Sequence, residues 1–222
     1  MKKTILSLIA GLFLFSTTAS AEVGLNIGVS GTMGLFAATG SEAQSDATGT
    51  EGTTLQEARE IGAGGWGSAF IEGRMGRFAL GVDYVPDVFS TDTAETHKND
   101  QQTEGSDAVT AGESRVQVDF EEMLTMYASF SLTDNFYVKA GVTSIDVITN
   151  ENLHTGSAYG NTSLDGNVLG MGYHMEMDNG VFIRAEGNYM SFDGVTLSSN
   201  DNTLKLKNLD GVTAAISVGK AF

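Results

Sequence analysis

Apolar and polar residues alternate one for one along most of this chain. In the first clear segment Val23, Leu25, Ile27, Val29, Met33 and Leu35 share one face, with Gly31 as a gap. Gly24, Asn26, Gly28, Ser30, Thr32 and Gly34 share the other. A period of two places alternate side chains on opposite faces of an extended strand. The same rhythm returns over 78–84, 116–130, 136–142, 169–177, 181–189 and 212–222. An eighth segment, 63–75, sets Ala69, Ile71 and Met75 on the apolar face and Phe70, Glu72 and Arg74 opposite. The pattern predicts eight strands, each about 9 to 11 residues long, the length that crosses a bilayer at a tilt.

The connections alternate as well. Residues 75–77, 133–135 and 178–180 are short, and the latter two are rich in turn formers. Residues 37–61, 90–114, 149–165 and 194–208 are long and polar. Short turns at one end and long loops at the other predict an all-β fold: an eight-stranded antiparallel transmembrane barrel, an up-and-down meander. An even strand number puts both termini on the short-turn, periplasmic side. A hairpin hidden in a long loop would raise the count to ten.

Charge then assigns the faces. A charge on the lipid side near the midplane costs about 2–4 kcal/mol. The phasing gathers Glu72, Arg74, Asp83, Asp119, Glu121, Lys139, Glu176, Arg184 and Glu186 on the inner face as one charge network. Glu122 and Lys220 break the segregation and are expected near strand ends. Trp66, Tyr84, Phe136, Tyr173 and Tyr189 are expected in the interfacial aromatic girdles, with Phe89, Phe192 and Phe222.

The N-terminus changes the picture most. Met1-Lys2-Lys3, the apolar run 5–15 and Ala19-Ser20-Ala21 predict a cleaved secretory signal over 1–21 and a mature barrel domain over 22–222. No later stretch is apolar for long enough to make a membrane helix. The chain has no cysteine, which removes thiol chemistry, Cys-ligated zinc and haem attachment. Its formal charge is −16, and loss of Lys2 and Lys3 with the signal takes −16 to −18. So acidic a chain excludes nucleic acid as a partner. With 28 glycines and one proline, Pro86, it suits long strands joined by turns.

The last strand sets Val212, Ala214, Ile216, Val218 and Phe222 in phase, ending on an aromatic. It resembles the C-terminal signature of outer-membrane proteins, read by the barrel-assembly machinery, with Phe222, Val218 and Ile216 as its signal. Lys220 stands where that signature has an aromatic or apolar residue. With the signal and the eight strands, the chain resembles the OmpA/OmpX-like barrels of Gram-negative outer membranes. The likeness is one of pattern, and it implies a barrel without the periplasmic peptidoglycan-binding domain.

Motifs with chemical meaning are few. Residues 62–67, Gly-Ala-Gly-Gly-Trp-Gly, match G-x-G-x-x-G, but a dinucleotide site needs a strand before and a helix after. Here a strand follows. His97, His154 and His174 have no Ser or Asp partner in a recognisable catalytic spacing. The sequon Asn161-Thr162-Ser163 carries little meaning in a bacterial context. Glu42, Asp46, Glu51, Glu57 and Glu60, and then Asp92, Glu95, Glu104, Asp107 and Glu113, make the first two loops acidic. Divalent cations bridging to lipopolysaccharide phosphates would suit them, without EF-hand spacing.

The expectation is a monomeric outer-membrane barrel with a structural or surface-contact role, no catalysis and no cofactor. Its partners are lipids, lipopolysaccharide and the assembly machinery. A narrow cation-preferring channel is the second reading, from the six acids against three bases inside. An outer-membrane lipid-modifying enzyme is the third. A soluble lipocalin-like barrel is the alternative fold, with its apolar face turned inward.

Overall fold

The inner and outer faces read from the alternation become the two surfaces of a closed wall. The computed structural model describes residues 23–44, 54–90, 94–101, 109–152, 160–199 and 202–222. The signal segment and His154 lie outside them. The strands are β1 (Val23–Gln44), β2 (Thr54–Met75), β3 (Phe78–Ser90), β4 (Ala94–Gln101), β5 (Val109–Ser131), β6 (Phe136–Asn152), β7 (Thr162–Glu176), β8 (Val181–Phe192), β9 (Val195–Ser199) and β10 (Asn202–Ala221). Eight of them form the wall in the order β1-β2-β3-β5-β6-β7-β8-β10, and β10 pairs back with β1. All pairs are antiparallel. β4 and β9 are additions at the far rim, paired with β5 and β10.

The tilt follows from the register. Starting at Ile27, directly paired residues run Ile71, Val82, Met126, Val142, Asn167, Ser191, Asp210 and back to Ala37. The circuit closes ten residues further along β1, from 27 to 37. A barrel of eight strands with that stagger tilts its strands by about 40°.

Two expectations change. The strands are much longer than crossing requires: β1, β2 and β5 run for 22, 22 and 23 residues. Much of what reads as loop over 37–61 is paired strand, with β1 and β2 in register up to Gln44 and Thr54. Polar composition there signals a barrel standing clear of the membrane rather than loss of structure. The second change is of phase. Register shifts fall in β3 between Asp87 and Phe89, in β5 between Glu121 and Leu124, and where Thr39 and Gly40 of β1 face β10. An extra residue swaps the faces beyond it. Val85 and Val88 therefore both point inward, as do Met123 and Phe120. Glu122, at the β5 bulge, holds a φ of 49°.

The outer surface around the turn end is apolar. Met33, Leu80, Val142, Leu169, Met171 and Ile216 are all exposed. The lumen divides into two halves. The half nearer the short turns is polar. The half toward the long strands is a hydrocarbon core: Phe36, Trp66, Val85, Val88, Met123, Ile145, Leu164, Val168, Met190, Phe192 and Leu209 are buried together. Eight strands leave an interior only wide enough for side chains. Glycine makes the space that the aromatic rings fill. A Cβ on Gly28, Gly81, Gly172, Gly211 or Gly219 would stand 2.3–2.5 Å from a ring atom of Phe70, Tyr127, Tyr137, Phe36 or Phe182 respectively.

Candidate functional site: the barrel lumen

Buried charges need partners and hydrogen bonds, and the polar half of the lumen supplies both. Glu72, on the inward face of β2, meets Arg184 of β8 through two parallel bonds, Nη1 to Oε2 at 2.9 Å and Nη2 to Oε1 at 2.7 Å. Such a fork is the strongest form of the pair. Asn26 Nδ2 donates to Oε1 at 2.8 Å and the Tyr127 hydroxyl donates to Oε2 at 3.1 Å. The guanidinium Cζ lies 4.8 Å from the ring centre of Phe182, 5.3 Å from Phe70 and 5.6 Å from Tyr137. Its Nε donates to His174 Nδ1 at 3.0 Å. That leaves the imidazole proton on Nε2, facing Glu176 Oε2 at 3.4 Å. Arg74 donates to the same Glu176 oxygen at 3.2 Å, at the turn-side mouth.

A second group stands one layer further in. Lys139 of β6 is bonded to Glu186 of β8, and the Tyr137 hydroxyl donates to the other Glu186 oxygen at 2.6 Å. Lys139 Nζ lies 4.9 Å from the Tyr127 ring centre. Asp83 accepts from Ser68 at 3.0 Å. Between this layer and the hydrocarbon core is a cavity of about 60 Å³, lined by hydroxyls of Ser30, Thr32, Thr125 and Ser217 among others. Its size admits several waters, each requiring about 10–15 Å³.

Seven of the nine predicted network residues therefore meet in the lumen: Glu72, Arg74, Asp83, Lys139, Glu176, Arg184 and Glu186. Asp119 and Glu121 do not. The β5 bulge turns them outward, where Asp119 accepts from Gln117 at 3.3 Å and Asn150 at 2.5 Å. Glu121 is exposed. The interior balance falls from six acids against three bases to four against three. The residues missed were Asn26, Tyr127, Tyr137, His174 and the Phe70–Phe182 pair. Their signal was present, because each sits at an inward position of its strand.

Trp66 is the other correction. It lies inside, 8% exposed, against Phe36 at 6.0 Å between ring centres. It shares the parity of Ser68, Phe70 and Glu72, so the phasing of its own strand places it there. Phe192 is buried too. Tyr84, Phe136, Tyr173, Tyr189 and Phe222 face outward as expected, and the Phe89 side chain is outside the described set. Phe222, Val218 and Ile216 are exposed on the outer face of β10. Phe222 closes the wall through two backbone bonds with Leu25, at 3.1 and 2.9 Å. Lys220 reaches the Asn179 carbonyl at the turn end, whereas Glu122, expected near a strand end, lies within β5 at its bulge. Among the described residues no group of three metal-ligating side chains occurs. The acidic residues Glu42, Glu57, Glu60, Glu95 and Glu113 belong to strands rather than loops, and Asp46, Glu51, Asp92, Glu104 and Asp107 lie outside the described residues.

An apolar outer belt, a polar salt-bridged lumen and closure of the last strand on the first define a small membrane-spanning β-barrel. One of the comparisons carries the likeness in fold. The outer membrane protein OprG from Pseudomonas aeruginosa superposes with a TM-score of 0.53 at 11% identity, over 91% of this chain and 97% of that one. The outer membrane protease OmpT from Escherichia coli gives 0.46 at 10% identity, over 93% and 99%. The attachment invasion locus protein Ail of Yersinia pestis gives 0.37 at 10%, over 88% and 99%. No protein-family model and no curated protein sequence matches the chain. The fold is that of an outer-membrane β-barrel of the OmpX-like kind.

Proposed function

We infer that this chain is a sealed outer-membrane scaffold, exported through the signal at 1–21, whose work is done by the part standing outside the bilayer. The observation that carries this reading is the double closure of the lumen. The Glu72–Arg184 fork blocks the turn side, and eleven packed apolar side chains fill the other half. A conducting pore needs a continuous wet path, and a hydrocarbon core of that depth has no groups to replace an ion's hydration. The excess of interior acids falls from three to one, which weakens the ground for cation preference. No catalysis is included in this reading; the His174 ring is held between Arg184 and Glu176. Lipids and lipopolysaccharide around the belt, and the assembly machinery at Phe222, remain its partners, with divalent cations at the acidic rim.

Single-channel recording of the refolded mature protein in a planar bilayer tests it. A silent bilayer, with insertion confirmed by protease protection, is the expected result. Reproducible cation-selective steps would overturn the sealed scaffold and restore the channel reading.

A further inference from the structure

Among the described residues, β2 and β3 part company while both strands run on. β2 and β3 pair only from Met75 with Phe78 up to Ala69 with Tyr84. Beyond that rung both strands continue, β2 back to Thr54 paired with β1, and β3 on to Ser90 paired with β5. Among the described residues no ladder pairing joins them there. The two edges differ in kind. β3 carries the chain's one proline, Pro86, then the exposed Asp87 and a bulge. Proline, charge and bulge are the devices that keep an edge from pairing. β2 over 62–68 is Gly-Ala-Gly-Gly-Trp-Gly-Ser, with no charge and no proline, and its one large side chain, Trp66, is turned into the lumen. The G-x-G-x-x-G run thus lies along an unprotected sheet edge.

What would cover that edge can be argued from charge. Asp87 pairs directly with Glu121, so two exposed carboxylates stand side by side across β3 and β5. Like charges directly opposite on neighbouring strands are destabilising. A cation alongside relieves them. A second copy in the same membrane fails on geometry. Its β2 would run downward as this one does, and two strands each tilted by about 40° would cross at roughly 80° instead of forming a ladder.

We propose that the β2 edge at 62–68 is a strand-acceptor site, and that its occupant is an extended basic segment of another polypeptide, hydrogen-bonded to β2 with its lysines or arginines toward Asp87 and Glu121. Main-chain bonds give such additions their affinity and side chains their selectivity. The site rests on the surface-contact reading above and supplies its partner chemistry. Its failure is separate, because a conducting lumen would sink the scaffold while leaving this edge as it is.

The test is amide hydrogen exchange by NMR on the full mature barrel in nanodiscs, using a capped peptide of alternating lysine and valine as probe. Without peptide, the seam-facing amides within 62–68 exchange fast while those bonded to β1 are protected. With peptide they become protected, and the same peptide carrying a central proline leaves them fast. The double variant Asp87→Asn, Glu121→Gln weakens binding by about tenfold at low salt. Both side chains are on the outer face, and both substitutions keep side-chain size, so the barrel still forms. Protection of all these amides before peptide is added would overturn the proposal, as would no gain at millimolar peptide. Equal binding by the double variant would overturn the basic occupant. Protection gained with a small apolar solute and not with peptide would replace the strand site by a solute entrance.

Discussion

Gly81 on β3 lies directly beneath the phenol of Tyr127 on β5: a Cβ there would stand 2.4 Å from Cζ and 2.5 Å from the hydroxyl oxygen. Glu72, Gly81 and Tyr127 lie on one rung of β2, β3 and β5, and Tyr127 reaches over to Glu72 only because the strand between them has no side chain there. Gly81→Ala is expected to displace the ring, break its bond to Glu72 and overpack the site. The cost is about 1–3 kcal/mol, the range for added methyl groups in a filled interior. Urea titration in lipid vesicles measures it. The pair Gly81→Ala with Tyr127→Ala should cost less than the sum of the two, since they share one space. Additive costs would mean that the ring does not occupy the space above Gly81.

Trp66 separates the lumen from the lipid by a measurement on a single residue, since the chain has one tryptophan. A girdle tryptophan is quenched by lipids with brominated chains. Trp66, buried against Phe36 inside the wall, is expected to escape them and to resist aqueous acrylamide as well. Trp66→Ala should destabilise by about 3–5 kcal/mol through the cavity it leaves. Strong quenching by brominated lipid would place the indole outside and undo the hydrocarbon core.

Wall number, wall order and the outward face were legible because lipid permits only an apolar exterior, so the alternation in 136–142 or 212–222 carries the fold openly. The lumen was half legible. Glu72 and Arg184 announced themselves as charges at inward positions. Tyr127 and Tyr137 stood at inward positions too, but an uncharged phenol there does not by itself point to a buried ion pair. Asp119 and Glu121 were misplaced for another reason: a bulge inserts one residue and reverses the faces beyond it, and its one mark in 119–124, the charge of Glu122 in outward phase, read as a strand-end exception. The strand extensions beyond the membrane were hidden because polar residues on both faces read as loop.

Placing a charge on the belt tests which surface meets lipid. Met171 is exposed on the outer face of β7 while Gly170 and Gly172 face in. Met171→Arg is expected to cost about 2–4 kcal/mol in a bilayer. In detergent-free water a lipocalin-like barrel would carry the same change at almost no cost. The comparison of folding yield in vesicles for Met171→Arg and for Lys205→Met, on the exposed upper part of β10, gives the sign: the first falls and the second does not.

The Glu72–Arg184 fork makes the sharpest energetic prediction, because its two halves fail differently alone and together. Arg184→Met removes the cation from beneath three rings and leaves Glu72 charged and buried, with only Asn26 and Tyr127 to hold it. Glu72→Gln leaves a buried guanidinium facing a neutral amide, with one oxygen there still able to accept but no counter-charge. Breaking a buried pair from one side costs about 3–5 kcal/mol. The double variant leaves no uncompensated charge. Methionine fills much of the guanidinium's volume against Phe70 and Phe182, and glutamine still accepts from Asn26. It is expected to lose less than either single change, and the bilayer should stay silent, since the hydrocarbon half of the lumen still closes the path. If removing the fork alone produced conductance, the apolar half would not be a seal, and the ion pair would be the only barrier in the barrel.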